Sequence, residues 1–269
     1  MDKAIQYLID CKERLILFLR NEIVRNRYDY ETFGKKIESP LLSEIISILD
    51  EGGFLLKENH YRSIFHKSVT GLIYKKVISA RKRQNLLKRS AASGTILPSN
   101  KPYRVARNKN DFPDLTLFRH FDIAVEVKAG NRSEYNDKAG RWVACNNSNN
   151  DLGTLNSWPD KIKQFGGENI YFLFIEYNFT NERQEIIDIK IDRFYRFIGL
   201  NEVGLLSYRE KDGNLRPKNF DVKPPIETFE QFQSLFQPTV IYRSKNIIRK
   251  HIVNVPDAQR NEFLESLKI

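Results

Sequence analysis

Cysteine is scarce: the 269 residues hold two, Cys11 and Cys145. Two cannot build a disulfide framework, and the count suits a reducing, cytoplasmic setting. Long apolar runs are also missing. The best, Ile170 to Ile175, is six residues, against the roughly 18 that a membrane span needs. The N-terminal helical pattern is interrupted by Asp10, Lys12, Glu13 and Arg14, so no secretory signal is read there. His60, His66, His120 and His251 have no metal-ligand spacing, and Cys145 has no cysteine nearby. Zinc and a His–metal finger are therefore disfavoured. There is no GxxxxGK[ST] loop, which argues against NTP-driven chemistry. At 12% aromatic the chain is nonetheless too rich in anchors to be disordered.

Acid is missing locally. From Arg62 to Asn110 there are 13 basic residues and no Asp or Glu, which exceeds the whole chain's surplus of ten. Such a block repels itself unless a polyanion is near, and nucleic acid is the obvious one. A solvated basic face without a partner is the plain alternative. An acidic membrane fits less well, because no Trp- or Phe-bearing face opposes the charges.

Apolar periodicity predicts helices over 3–26, 40–51 and about 63–89. Short strands are expected near 103–106, at 115–118 and at 123–127, the last ended by Ala129-Gly130. A helix should start at Pro159 with Ser157 as N-cap and stop at Gly166-Gly167. Ile170–Tyr177 reads as a strand buried on both faces, so its Tyr171, Phe172, Phe174 and Tyr177 are core rather than a base-stacking platform. A strand at 185–191, a strand or helix near 239–248 and a terminal helix over 257–268 complete the reading. The order implies an α/β core, a mixed central sheet flanked by helices.

Pro113-Asp114 opens one strand and Glu126-Val127-Lys128 closes the next. Two carboxylates and a lysine at one end of a hairpin suit phosphodiester cleavage. Carboxylates are hard ligands for Mg²⁺, which neutralises transition-state charge and acidifies water. A lysine orients or deprotonates that water. Glu126 and Lys128 share a strand face. Asp114 joins them if it opposes Glu126, which puts Thr116 opposite Ala124, Phe118 opposite Asp122, and Arg119-His120-Phe121 in the loop. The same register gathers Leu115, Leu117, Ile123, Val125 and Val127 on the other, apolar face. A surface hairpin with incidental charges is the alternative.

Three decoys share the acid-x-Lys spacing. Asp10-Cys11-Lys12 lies within a helix, and Asp221-Val222-Lys223 follows a turn signature, Asp212-Gly213-Asn214. Asp188-Ile189-Lys190 is preceded by Pro159-Asp160, but there the proline takes a helix N1 position and Asp160 faces the helix dipole.

Phe112-Pro113-Asp114 followed by Val125-Glu126-Val127-Lys128-Ala129-Gly130 resembles the PD-(D/E)xK nuclease superfamily, and most of all its type II restriction endonucleases. The likeness covers about residues 62–178. It implies a restriction-endonuclease-like catalytic core at 62–191, with extra N-terminal helices over 1–61 and a C-terminal extension over 192–269. It further implies Mg²⁺ held by Asp114, Glu126 and the Val127 carbonyl, with Lys128 as the catalytic lysine. Relatives often carry a glutamate on the preceding helix. Here Ser68 to Tyr74 has none, which leaves Glu44 or Glu58 as substitutes.

The implied activity is Mg²⁺-dependent cleavage of both strands of a specific duplex DNA site, leaving 5′-phosphate ends, by a homodimer. A repair or junction-resolving nuclease and a non-cleaving DNA-binding protein are the alternatives. Lys75, Lys76, Arg81, Lys82, Arg83, Arg104 and Arg107 are candidate DNA contacts, against a solvated helix face for the first five. Asn146, Asn147 and Asn149 could read bases or simply form a surface loop.

Overall fold

The computed structural model describes residues 1–26, 28, 33–55, 102–107, 111–118, 122–132, 135–136, 141–142, 150–179, 184–218 and 221–267. The expected helix at 63–89 lies outside them, as do Lys75, Lys76, Arg81, Lys82, Arg83, Glu58, Asn146, Asn147, Asn149 and the loop 119–121.

The N-terminal pattern folds as two helices rather than one, α1 (Lys3–Asp10) and α2 (Lys12–Asn26). Asp2 caps the first by accepting from the Ala4 N–H at 2.7 Å. Cys11 breaks the run at φ −90°, ψ 13°, its N–H turned back onto the Tyr7 and Ile9 carbonyls. The break lets both apolar stripes, Ile5 with Leu8 and Leu15 with Ile16, Leu19 and Ile23, enter one core. A one-turn helix, α3 (Phe33–Lys36), leads into α4 (Glu38–Glu51), which ends at Gly52.

The sheet comprises β1 (Tyr103–Val105), β2 (Leu115–Leu117), β3 (Ile123–Asn131), β6 (Ile170–Phe179) and β7 (Gln184–Arg193), in the order β1-β2-β3-β6-β7. A separate two-stranded ribbon pairs β4 (Tyr135–Asn136) with β5 (Arg141–Trp142). β1, β2 and β3 run antiparallel, β3 and β6 parallel, and β6 and β7 antiparallel. A parallel pair needs a crossover, and the one here contains α5 (Trp158–Phe165). The α/β expectation of a mixed sheet flanked by helices is met. β3 continues past Ala129-Gly130 because its ladder to β6 extends to Asn131 opposite Tyr177.

Two cores face the sheet from opposite sides. Leu115, Leu117, Ile123, Val125 and Val127 pack with the N-terminal helices and with Tyr171, Leu173, Ile175 and Tyr177. Phe172 and Phe174 point the other way, onto α5, the 3₁₀ turn Phe194–Phe197 and the C-terminal segment. β6 is thus buried on both faces, as its composition requires. Trp158 stacks on Phe194 with centroids 4.0 Å apart.

Ser157 takes the N-cap position of α5 as expected, but its side chain makes no cap hydrogen bond. A 3₁₀ turn, Leu155–Ser157, precedes the helix, and the Ser157 hydroxyl donates back to the Thr154 carbonyl at 2.9 Å. α6 (Phe229–Ile252) begins ten residues before the expected element, under a capping box of Thr228 and Gln231, and α7 (Asp257–Leu267) follows it. Among the described residues no helix is long and apolar enough to cross a membrane.

Candidate active site

The β2–β3 register places Leu115 opposite Val125, Thr116 opposite Ala124 and Leu117 opposite Ile123. It is the alignment in which the apolar residues share one face. Asp114, one residue before β2, therefore comes to lie beside Glu126. The Asp114 main-chain N–H donates to Glu126 Oε2 at 3.2 Å. In return Asp114 Oδ2 accepts the Val127 N–H at 2.6 Å. Lys128 Nζ reaches Glu126 Oε1 at 2.8 Å. Asp114, Glu126 and Lys128 are all buried, at 6%, 8% and 9% exposure, where charges persist only when paired.

Electrostatics follow from that burial. Desolvation, then the neighbouring Glu126 carboxylate, raises the Asp114 pKa well above the carboxylate range. Desolvation alone would lower Lys128, but Glu126 and Asp114 outweigh it and raise its pKa. Two buried carboxylates this close repel each other, and a hard cation relieves the repulsion. Among the described residues no set of three His, Cys, Asp or Glu side chains converges. With two carboxylates and the Val127 carbonyl from the protein, a cation here would keep several waters. Mg²⁺ is suited to that.

The decoys are accounted for by other contacts. Lys190 lies 3.2 Å from Glu176 and 3.1 Å from Asp188, and Asp188 also takes Lys12 at 2.8 Å. Asp160 sits exposed in the first turn of α5. Asp221 pairs with Arg132.

Arg104, on β1 opposite Thr116, shares the site's sheet face, and its guanidinium donates to the Phe112 carbonyl at 3.5 Å. Arg107 is exposed, its main-chain N–H bonded to Asp111 Oδ2 at 3.0 Å.

Of the two candidate accessory glutamates, Glu44 is paired with Arg14 at 2.7 Å, and Glu58 lies outside the described residues. Among the described residues Glu38, in the first turn of α4, is a further helix carboxylate whose charge helps raise Asp114 and Lys128. Only its placement before Pro40, at a helix start, hinted at it in the sequence.

Lys161 on α5 is a second cation that sequence reasoning missed. Its Nζ sits 4.0 Å from the Phe112 ring centroid and 4.9 Å from that of Trp158. Burial, only partly offset by Glu126, lowers its pKa to about 8. Nothing in an amphipathic helix pattern separates such a lysine from a solvated one.

No family model matches this chain, and no curated protein is similar to it at a meaningful level. Among solved structures it is similar to NlaIV restriction endonuclease, at 19% identity and a TM-score of 0.38, over 62% of this chain and 66% of that one. The match thus spans slightly less than two thirds of that enzyme's length. The functional reading rests on the geometry of Asp114, Glu126 and Lys128, not on this likeness.

Proposed function

We propose that this chain is a Mg²⁺-dependent endonuclease of the type II restriction kind, which as a homodimer cleaves both strands of a specific duplex DNA site and leaves 5′-phosphate ends. The observation that supports the reading is the convergence of Asp114, Glu126 and Lys128, all buried, with Glu126 bonded to both the Asp114 main chain and Lys128, at the end of a hairpin. Asp114, Glu126 and the Val127 carbonyl would hold the cation. Bound there, the cation supplies charge neutralisation at the phosphate and acidifies water. Glu126 keeps Lys128 Nζ facing that place, where the ammonium orients the attacking water and opposes phosphate charge. Burial and Glu126 strengthen the hold of Asp114 on a proton, which binding of the cation would displace. The acid-free segment Arg62–Asn110 supplies phosphate contacts, and two copies give one active site per strand.

The test is incubation with mixed plasmid DNA and Mg²⁺, followed by sequencing of the ends. Discrete fragments with common ends are expected. Random nicks would indicate a general or repair nuclease. Intact DNA that still shifts in a gel would leave a DNA-binding protein without cleavage.

A further inference from the structure

Lys161 is the described charged side chain that the proposed chemistry leaves unexplained. It is half-buried, with its Nζ over the rings of Phe112 and Trp158, and no hydrogen bond or ion pair to it occurs among the described residues. A lysine out of water normally finds a carboxylate or gives up its proton. The carboxylates whose charge reaches it are Glu126 and Asp114, and Glu126 is already engaged by Lys128.

The surroundings favour a missing anion over an accident of packing. Phe112 stands two residues before Asp114, so the ring that seats Lys161 belongs to the segment that carries the metal ligand. Trp158 Nε1 is a buried donor without an acceptor among the described residues. Gly153, at φ +91°, closes the same corner. A Cβ on it would fall 2.8 Å from Lys161 Nζ and 3.5 Å from Trp158 Nε1. A side chain at Gly153 would therefore fill the space beside both donors.

In a nuclease site the anion that meets this corner is the phosphodiester itself, whose charge grows from one to two when hydroxide adds to phosphorus. We propose that Lys161 is a catalytic residue that binds a non-bridging oxygen of the scissile phosphate, seated by Phe112 and Trp158. The inference rests on the nuclease reading above, and it adds a second lysine to the site.

The test uses Lys161→Met, which keeps the apolar stem against the two rings, and Lys161→Gln, which keeps a polar tip. Either loses only a half-buried charge, so melting temperatures should stay near wild type, and the second variant carries the test if the first folds poorly. Cleavage of plasmid DNA is followed with Mg²⁺ at saturating enzyme, and affinity is measured separately with Ca²⁺ in place of Mg²⁺. The saturated rate should fall roughly 10²–10³-fold, as when one oxyanion donor is removed, while affinity changes far less. Folded variants that cut at the wild-type rate would overturn the inference. So would a loss confined to affinity, which would put Lys161 on a flanking phosphate. If wild type itself leaves DNA intact, the nuclease reading fails and this inference with it. If wild type cuts and the variants cut equally well, this inference alone fails.

Discussion

Across the β2–β3 pair, Asp114 and Glu126 are joined through the main chain: the N–H of the first donates to Oε2 of the second at 3.2 Å. The bond holds Glu126 by the backbone of its partner, so the Asp114 carboxyl can change its protonation without breaking it. Val127 returns the arrangement by donating its N–H to Asp114 Oδ2 at 2.6 Å. The peptide ladder, rather than long flexible side chains, sets the spacing of the two acids.

The two acid-x-Lys strands make opposite predictions. Lys128 is buried and tied to Glu126, whereas Lys190 is partly exposed in a network with Glu176 and Asp188. Lys128→Met should slow cleavage by roughly 10²–10⁴-fold. Lys190→Met should leave the rate within about twofold, as for surface changes away from a site. Plasmid cleavage rates for the two variants make the comparison.

Burial and Glu126 raise Asp114, so folding strengthens its hold on a proton. Between the unfolded carboxyl value near 4 and its raised folded value, the native state binds more protons than the unfolded one. Metal-free stability should therefore fall as pH rises through that window, by at most about 1.4 kcal/mol per pH unit for one proton. Lys128, also raised, stays charged in both states there and adds no slope, whereas Lys161, lowered to about 8, adds an opposite slope only from about pH 8 upward, so the decline is read below that pH. Urea midpoints against pH should decline for wild type and flatten for Asp114→Asn. Apparent Mg²⁺ affinity should rise with pH over the same range, since ligation displaces the proton. Wild-type midpoints as flat as those of the variant would contradict the assignment.

DNA binding should weaken steeply with salt. With ~6 phosphate contacts from the segment 62–110, raising salt from about 50 to about 200 mM should cost roughly a thousandfold in affinity. Filter binding or fluorescence anisotropy gives the slope, and a shallow one would remove that segment from the interface.

Register can be tested through the loop at 119–121. One glycine inserted after His120 forces a slip that turns Asp114 toward the core or Leu115 and Leu117 toward water. Metal-dependent activity should vanish even where circular dichroism remains native-like. Two inserted glycines restore parity and should recover folding better than one.

The register and the trio were legible because parity is a strong constraint. Leu115, Leu117, Ile123, Val125 and Val127 can all be buried on one face in a single alignment, and that alignment brings Asp114 to Glu126. The two-faced burial of β6 was legible from its near-continuous apolar run. The break at Cys11 was not, since it depends on docking against β7, where Lys12 meets Asp188. The start of α6 had a signal in Thr228 and Gln231, but Pro238 inside the helix spoke against it. Glu38 and Lys161 stayed hidden for one shared reason. Each acts by its charge from a separate helix, Glu38 at the head of α4 and Lys161 on α5, and linear spacing carries no record of such proximity.

The most direct measurement compares wild type with Asp114→Asn on the same plasmid DNA, with cleavage read in Mg²⁺ and affinity in Ca²⁺. The asparagine keeps the oxygen that accepts the Val127 N–H, so the fold and the phosphate contacts should survive. Wild type should leave fixed 5′-phosphate ends, and the variant should bind with similar affinity while its cleavage falls by at least about a hundredfold. Equal cleavage by both proteins, or no cleavage by either despite tight binding, would contradict a metal-dependent nuclease site at Asp114, Glu126 and Lys128.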